Sequence, residues 1–534
     1  MKKILFAVMM FLSSTVLFSV DIKIDTAKDR APISPYIYGT NQDIAKDTNY
    51  TARRLGGNRM TGYNWENNAS NAGNDWQHSS DSYLTDWANV SGDNNAAGAL
   101  LTTFHDKSLT MNAYTIITLP LAGYVSKDKN GPVTQRQAAP SDRWAEVVFE
   151  KGKDLSLDPD KNDSYVYLDE EVNFLVNQYG KANTHTGIKG YSLDNEPDIW
   201  ASTHPMLHPG KIGADELVKI SAEAASAIKK VDPYAEVYGP SSYGFNGFRT
   251  LQDAPDYIKQ YYVYGWYLAY YLAKMEEASK TKGIRLLDAL DVHWYPEASA
   301  NGKRIVFSQG AGAADETAEA RVQAPRSLWD PDYNETSWIC SSGNCPIMLI
   351  PQLKGMINKY YPGTKLAFTE YEYGAGYHPS GGIAQADVLG IFGKYGVYMA
   401  NYWMVELGAY TLAGFRLYRN YDGNNGMYGD TNVKAETSDV EKITTYASIE
   451  SKDDKNLHVI LINKDLSNTT TARVAISSKQ MYKTGKAYGF DKGSEAKITL
   501  RQDITDIKNN TFSVEMPPLS AYHVVLVSAG LKKK

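Results

Sequence analysis

KGYSLDNEP, residues 189–197, decides the architecture. GIKGYSL has the texture of a short β-strand entering a core. It runs straight into an Asp, an Asn, a Glu and a Pro. A carboxylate at the end of a buried strand is costly unless something pairs or uses it. Strand ends of this kind gather at the mouth of a parallel β/α barrel, where the C-terminal ends of the strands carry the chemistry.

Seven further β-rich runs flank it: YIYGTNQ (36–42), ARRLGGN (52–58), NAYTIITLPL (112–121), AEVYGPSS (235–242), LDALDVHWY (287–295), KLAFTEYEY (365–373) and ANYWMV (400–405). Helical patterns fall between several of them. DEEVNFLVNQYG precedes the fourth run and ADELVKISAEAASAIKKVDP follows it. IKQYYVYGWYLAYYLAKMEEASKTKG reads as one long helix after the fifth. LIPQLKGMINKYYPG precedes the seventh, and IAQADVLGIFGKYG follows it. Eight strands alternating with helices predict an α/β fold, a TIM-like (β/α)8 barrel, over 34–412. That span exceeds the roughly 250 residues usual for such barrels, so the βα loops 62–100 and 297–340 carry large insertions. From about residue 410 the runs become short, alternating and turn-punctuated, which predicts an antiparallel β-sandwich over 413–534. DIKIDT shares that texture, so 21–33 is expected to add a strand to the sandwich.

The 534 residues carry a net charge of −6 and no basic stripe, which argues against nucleic acid as a partner. Two lysines precede an apolar run, Ile4 to Val20, in the pattern of a secretory leader over 1–20. An uncleaved anchor is the alternative, and no later stretch is apolar enough to cross a membrane. Secretion fits a local disulfide between Cys340 and Cys345 in WICSSGNCPI. The 39 Tyr and 10 Trp suit core packing and also sugar stacking.

Two strand ends present a Glu: Glu196 on the fourth and Glu370 on the seventh. Paired carboxylates perform glycoside hydrolysis, one as proton donor and one at the anomeric centre. Asp194 and Glu372 share the strand parity of this pair and are rivals on spacing alone. Asn195 is placed to bond a sugar hydroxyl. His293 and Tyr295 end the sixth strand and Tyr373 follows the seventh. Each is either a site residue or barrel-top packing. Asn58 and Arg59, after the second strand, are placed to fix a hydroxyl or orient a carboxylate. Trp65, Trp329, Trp338 and Trp403 are either stacking platforms or core. His204 and His208 have the spacing of a zinc pair, but Pro205 and Pro209 oppose a helix there. Asp158, Asp160 and Asn162 alternate as calcium-loop ligands do, although Asp163 stands where such a loop has Gly.

YSLDNEPDIWASTHP (191–205), FTEYEYG (368–374), RRLGGNRMTGYNWENN (53–68) and FRLYRNYDGNNGMYGD (415–430) together resemble glycoside hydrolase family 44. The resemblance spans about residues 21 to 525. It implies a secreted bacterial endo-β-1,4-glucanase or xyloglucanase of barrel-plus-sandwich build, working with retention. By its motifs Glu196 is the acid/base and Glu370 the nucleophile, and Asp194 and Glu372 are supports. It implies a β-1,4-glucan substrate, a monomer and no required cofactor, with a structural calcium left open. The rival readings are a barrel enzyme for xylan or arabinosides, and a non-catalytic carbohydrate-binding protein. The latter would have lost one Glu, and both are present.

Overall fold

The structure is a computed structural model that describes residues 18–306, 310–453 and 455–531. Most of the apolar leader run, residues 4–17, lies outside them. All eight expected barrel strands form and close in parallel, in chain order: Gly39–Thr40, Ala52–Leu55, Tyr114–Leu119, Gly190–Leu193, Glu236–Ser242, Ala289–Trp294, Lys365–Tyr371 and Met399–Tyr402. The third, fourth and sixth strands are buried along their whole length. Burial on both faces is why these runs read as almost continuously apolar.

Helices Ala99–Thr110, Leu168–Tyr179, Ala214–Val231, Tyr267–Lys282, Leu349–Tyr360, Pro379–Lys394 and Ala409–Arg419 wrap the barrel. The first crossover has only a single 3-10 turn, Lys46–Thr48. The long helix expected after the fifth strand is two, Ile258–Tyr264 and Tyr267–Lys282. Gly265 takes φ 74° between them, in the left-handed region that breaks a helix cheaply only at Gly. The insertion after the second strand is ordered by a small sheet in which Ser79–Asp81 pairs with Ser70–Asn71 and with Gly131–Pro132.

The C-terminal part forms the strands Thr431–Thr437, Ile443–Ile449, Asn456–Asn463, Thr470–Ser477, Gln480–Phe490, Thr499–Ile504, Thr511–Met516 and Ser520–Leu531. The N-terminal strand Phe18–Asp25 enters this sandwich and lies antiparallel to Thr431–Thr437. On its other side it lies parallel to Thr470–Ser477, so the sandwich is mixed rather than wholly antiparallel. The barrel itself intervenes in the chain between these two partners, so no hairpin dictates their direction. The sandwich has its own core, including Val20, Ile22, Ile24, Val459, Leu461, Val474, Val514 and Val524.

The two domains meet on helix Pro379–Lys394, whose residues from Pro379 to Gly393 are all buried. A helix buried on every side needs cover on every side, and its polar members need partners there. One face packs on the barrel and the other on the sandwich, where Thr444 and Tyr446 donate to Asp387 at 2.8 and 2.6 Å and Lys464 pairs with it at 2.9 Å.

Candidate active site

The chain leaves the fourth strand at Leu193 and turns sharply. Asp194 and Glu196 both hold left-handed backbone, φ 66° and 46°. Non-Gly residues in that region cost of order 1 kcal/mol or more and cluster where geometry is functional. Asp194 holds the turn in place: its carboxylate accepts from Thr61 Oγ1 at 2.6 Å, Asn195 N at 2.7 Å and Leu121 N at 2.5 Å. With its oxygens consumed, it serves as a support. Glu196 is thereby thrown across the barrel mouth, its backbone N–H bonded to Ser241 O.

Glu370 arrives from the seventh strand. Oxygens of Glu196 and Glu370 and a nitrogen of His293 all lie within 4.8 Å of one another. His293 Nδ1 is 2.9 Å from Glu196 Oε1 and 3.5 Å from Glu370 Oε2. The Tyr295 hydroxyl donates to Glu370 Oε2 at 2.7 Å and Arg54 Nη1 donates to Oε1 at 2.8 Å. Arg54 also donates to Asn41 and Asn195, so one buried guanidinium ties the first, second, fourth and seventh strands together. Asn195 Nδ2 in turn reaches Asn58 Oδ1 at 3.3 Å.

The two carboxyls have different surroundings. Glu370 holds a cation and a phenol. Glu196 is lifted by burial from its ordinary 4.5 to about 7, opposed by Arg54 and reinforced by Asp75. His293, wholly buried, is pushed down to about 4 by desolvation. One carboxyl is thus poised to hold a proton while the other is held by a cation, the division of labour that acid catalysis beside a nucleophile requires. Three ligand-type atoms this close could bracket a metal, but Arg54 already supplies the positive charge at Glu370.

A cleft of ≈ 740 Å³ opens beside this cluster. It meets the cluster at Asn41 and Asn58, and Trp76, Tyr83, Trp87 and Trp403 line it. Trp76 is 63% exposed and Tyr83 51%. Arg59 stacks over the Tyr83 ring at 4.2 Å and pairs with Asp81, so it shapes the cleft wall and leaves the carboxylates alone. Asn58 also donates to Asp75.

The remaining expected residues lie elsewhere. Trp65 is fully buried against Phe174 and Tyr373 is buried just past the seventh strand, so neither offers a ring face to a sugar. Trp329 stacks on Tyr395 near the sandwich, and Trp338 packs on Phe245 among the loops after the fifth and sixth strands. Glu372, just past the strand, accepts from Tyr402 and the Glu406 amide at 3.0 Å each, away from the cluster. His204 is buried and His208 faces Gly210 O. Asp160 caps the amide of Asn162 within its own exposed loop. Among the described residues, neither that histidine pair nor Asp158 and Asp160 belong to a converging set of three acidic or histidine ligands. Cys340 and Cys345 are joined.

Sequence reading missed Arg54, Asn41, Asp75, Trp76 and Tyr83. Arg54 left a trace, a charge inside an otherwise buried strand. Trp76 and Tyr83 sit in an insertion whose path has no periodicity to follow.

The family model of glycoside hydrolase family 44 matches residues 69–298. Endoglucanase A of Paenibacillus lautus is 54% identical over 95% of this chain and 72% of its own length. The solved xyloglucanase of Paenibacillus polymyxa, from family 44, is 52% identical over 96% of this chain and 100% of that one, with a TM-score of 0.93. The family 44 endoglucanase of Clostridium thermocellum is 55% identical over 95% of this chain and 100% of that one, with a TM-score of 0.92. The likeness runs through barrel and sandwich alike, and with the carboxyl pair at its centre the chain belongs to glycoside hydrolase family 44.

Proposed function

We propose that this glycoside hydrolase is a secreted, monomeric, retaining endo-β-1,4-glucanase that cleaves xyloglucan and soluble β-1,4-glucans by double displacement. The observation that carries the mechanism is the approach of Glu196 and Glu370 oxygens to within 4.8 Å. Retaining enzymes hold their carboxyls roughly 5–5.5 Å apart, whereas inverting ones leave room for a water at about 6.5–9.5 Å. Glu370, oriented by Arg54 and Tyr295, attacks the anomeric carbon as the glycosidic C–O bond breaks. Glu196 gives its proton to the leaving oxygen. In the second step Glu196 takes a proton from water, the hydroxide oxygen bonds the anomeric carbon, and the bond to Glu370 breaks.

An internal cut needs a groove that a chain can enter from the side. The exposed rings of Trp76 and Tyr83 in the cleft that reaches the cluster at Asn41 and Asn58 suit that, because sugar faces stack on aromatic rings. A family member has been solved with xyloglucan, which supports the branched substrate. Secretion rests on the leader-like N-terminus; among the described residues no helix is long and apolar enough to cross a membrane.

Two measurements test the reading. Proton NMR of early products should show the β-anomer first, and an α-anomer would overturn retention. Initial rates on xyloglucan and carboxymethyl cellulose should exceed those of Glu370→Gln by at least about 10³-fold, the scale of a lost nucleophile. Equal release by the variant would sink the assignment.

A further inference from the structure

Beneath the carboxyl pair runs a line of buried polar groups outside the machinery described so far. Asp291 is two residues before His293 on the sixth strand and fully buried. Its Oδ2 accepts from Ser241 Oγ at 2.7 Å and Thr369 Oγ1 at 2.8 Å, and its Oδ1 accepts from Thr369 N at 3.2 Å. Ser192 Oγ is 2.8 Å from Ser241 Oγ and continues the line to the fourth strand. Thr369 Oγ1 also lies 3.2 Å from His293 Nε2.

Counting protons fixes the direction of every bond. A carboxylate offers acceptors alone, and a hydroxyl has one proton to give. Thr369 gives its proton to Asp291, so toward His293 it presents a lone pair. His293 Nε2 must therefore carry a hydrogen. In a neutral imidazole that leaves Nδ1 as an acceptor, 2.9 Å from Glu196 Oε1. Two acceptors cannot bond, so a proton must lie between them, and in a neutral His it belongs to Glu196.

We propose that Asp291, acting through Thr369, is a positioning residue that locks His293 in its Nε2–H tautomer and so keeps Glu196 in the protonated form from which it acts. The proposal rests on the assignment of Glu196 as acid/base. After the proton passes to the leaving oxygen, the Glu196 carboxylate faces the Nδ1 lone pair. That repulsion makes it a stronger base, and it recovers a proton from the water of the second step. The opposite tautomer would donate Nδ1–H to the carboxylate and favour its ionised form. The desolvation that holds His293 neutral supports the same arrangement. The charged and titratable groups facing this pair are Arg54 from the second strand and Asp75 from the loop after it, Asp198 and Tyr243 after the fourth and fifth, Asp291 and Tyr295 of the sixth, and Glu370 of the seventh. Of these, Asp291 alone acts on His293 through Thr369.

The test compares wild type with Asp291→Asn, Thr369→Val and Thr369→Ser. An Asn can donate to Thr369, whose hydroxyl then turns to His293 Nε2 and reverses the tautomer. The alkaline limb of kcat/KM on xyloglucan should move down by roughly one pH unit, the effect of one exchanged hydrogen bond, in Asp291→Asn and Thr369→Val. Thr369→Ser, which keeps the hydroxyl, should stay near wild type. A dinitrophenyl β-cellooligosaccharide, whose leaving group needs no proton, should lose far less rate than xyloglucan; a merely structural lesion would lower both alike. In 15N-histidine spectra of the wild type, assigned by loss of the signal in His293→Gln, the protonated nitrogen should be Nε2. A proton on Nδ1, or an unmoved alkaline limb in both variants, overturns the proposal. Glu196→Gln with undiminished xyloglucan hydrolysis would instead remove the acid assignment, a result that leaves the nitrogen spectrum unchanged.

Discussion

At the scale of single residues, the site works by giving two identical side chains unlike neighbours. Arg54 holds Glu370 through one Nη while its other Nη holds Asn195. A lysine cannot span both acceptors with one planar fork. Arg54→Lys should therefore cut kcat/KM by about 10²-fold or more, the scale of a lost charge-assisted bond plus a misplaced Asn195, with little change in fold by circular dichroism. Tyr295→Phe removes a single donor at 2.7 Å from Glu370. A bond to a charged group contributes about 1.5–3 kcal/mol, so steady-state kinetics should show kcat lower by roughly 10- to 100-fold. For Glu196, lifted to about 7, the protonated acid is lost as pH rises through that value, and the kcat/KM profile should fall on its alkaline side there.

Elements differ in how they carry charge and strain. Helix Leu168–Tyr179 opens with Asp169, Glu170 and Glu171, all buried. A helix N-terminus favours anions by a few tenths to about 1 kcal/mol, yet desolvation wins at Glu171, which rises from its ordinary 4.5 to about 8, with nearby Glu66 adding to the rise. A carboxyl raised in the folded state binds extra protons there, so its stabilising contribution is full below about 4.5 and lost as pH climbs toward 8. Neutral Glu171→Gln should escape that loss. Its melting temperature should match or trail wild type at pH 5 and exceed it at pH 8, by calorimetry, with a difference on the order of 3 kcal/mol at most. The turn after the second strand is constrained differently. Gly57 has φ 85°, and a Cβ there would lie 2.4 Å from the Trp403 ring. Gly57→Ala should displace Trp403 from the cleft wall, raising KM for glucans and quenching less of its fluorescence on substrate addition.

Across the whole molecule, barrel and sandwich share a buried interface. Asp387 of the barrel and Lys464 of the sandwich are both buried and 2.9 Å apart. Removing one partner of such a pair strands a charge and costs about 3–5 kcal/mol. Lys464→Met should lower the melting temperature sharply, and Asp387→Leu/Lys464→Met should recover much of the loss. Unfolding of the wild type should be a single calorimetric transition, because helix Pro379–Lys394 cannot stay folded with one apolar face bare. A second link supports this: His523 of the sandwich donates to Leu417 O of the last barrel helix at 2.7 Å.

The sequence by itself determined the eight barrel strands, the sandwich texture and the two strand-end glutamates. Those features are local: period, strand-end polarity and motif are written in consecutive residues. It left Trp65, Trp329, Trp338 and Tyr373 open between site and core, because an aromatic residue in a loop reads the same whether the loop folds over it or presents it. It also ran two helices together across Gly265. Parity left Glu196 and Asp194 level and the family motif pointed to Glu196; the three donors that occupy Asp194, from the loops after the second and third strands and the adjacent amide, favour the same reading. Tertiary structure alone decided that Arg54 would reach Glu370, that the sandwich would accept a parallel N-terminal strand, and that Asp291 would speak to Glu196 through Thr369 and His293. Each of those outcomes depends on closing the barrel, which sets residues far apart in the chain within hydrogen-bond distance, and no window of sequence contains that closure.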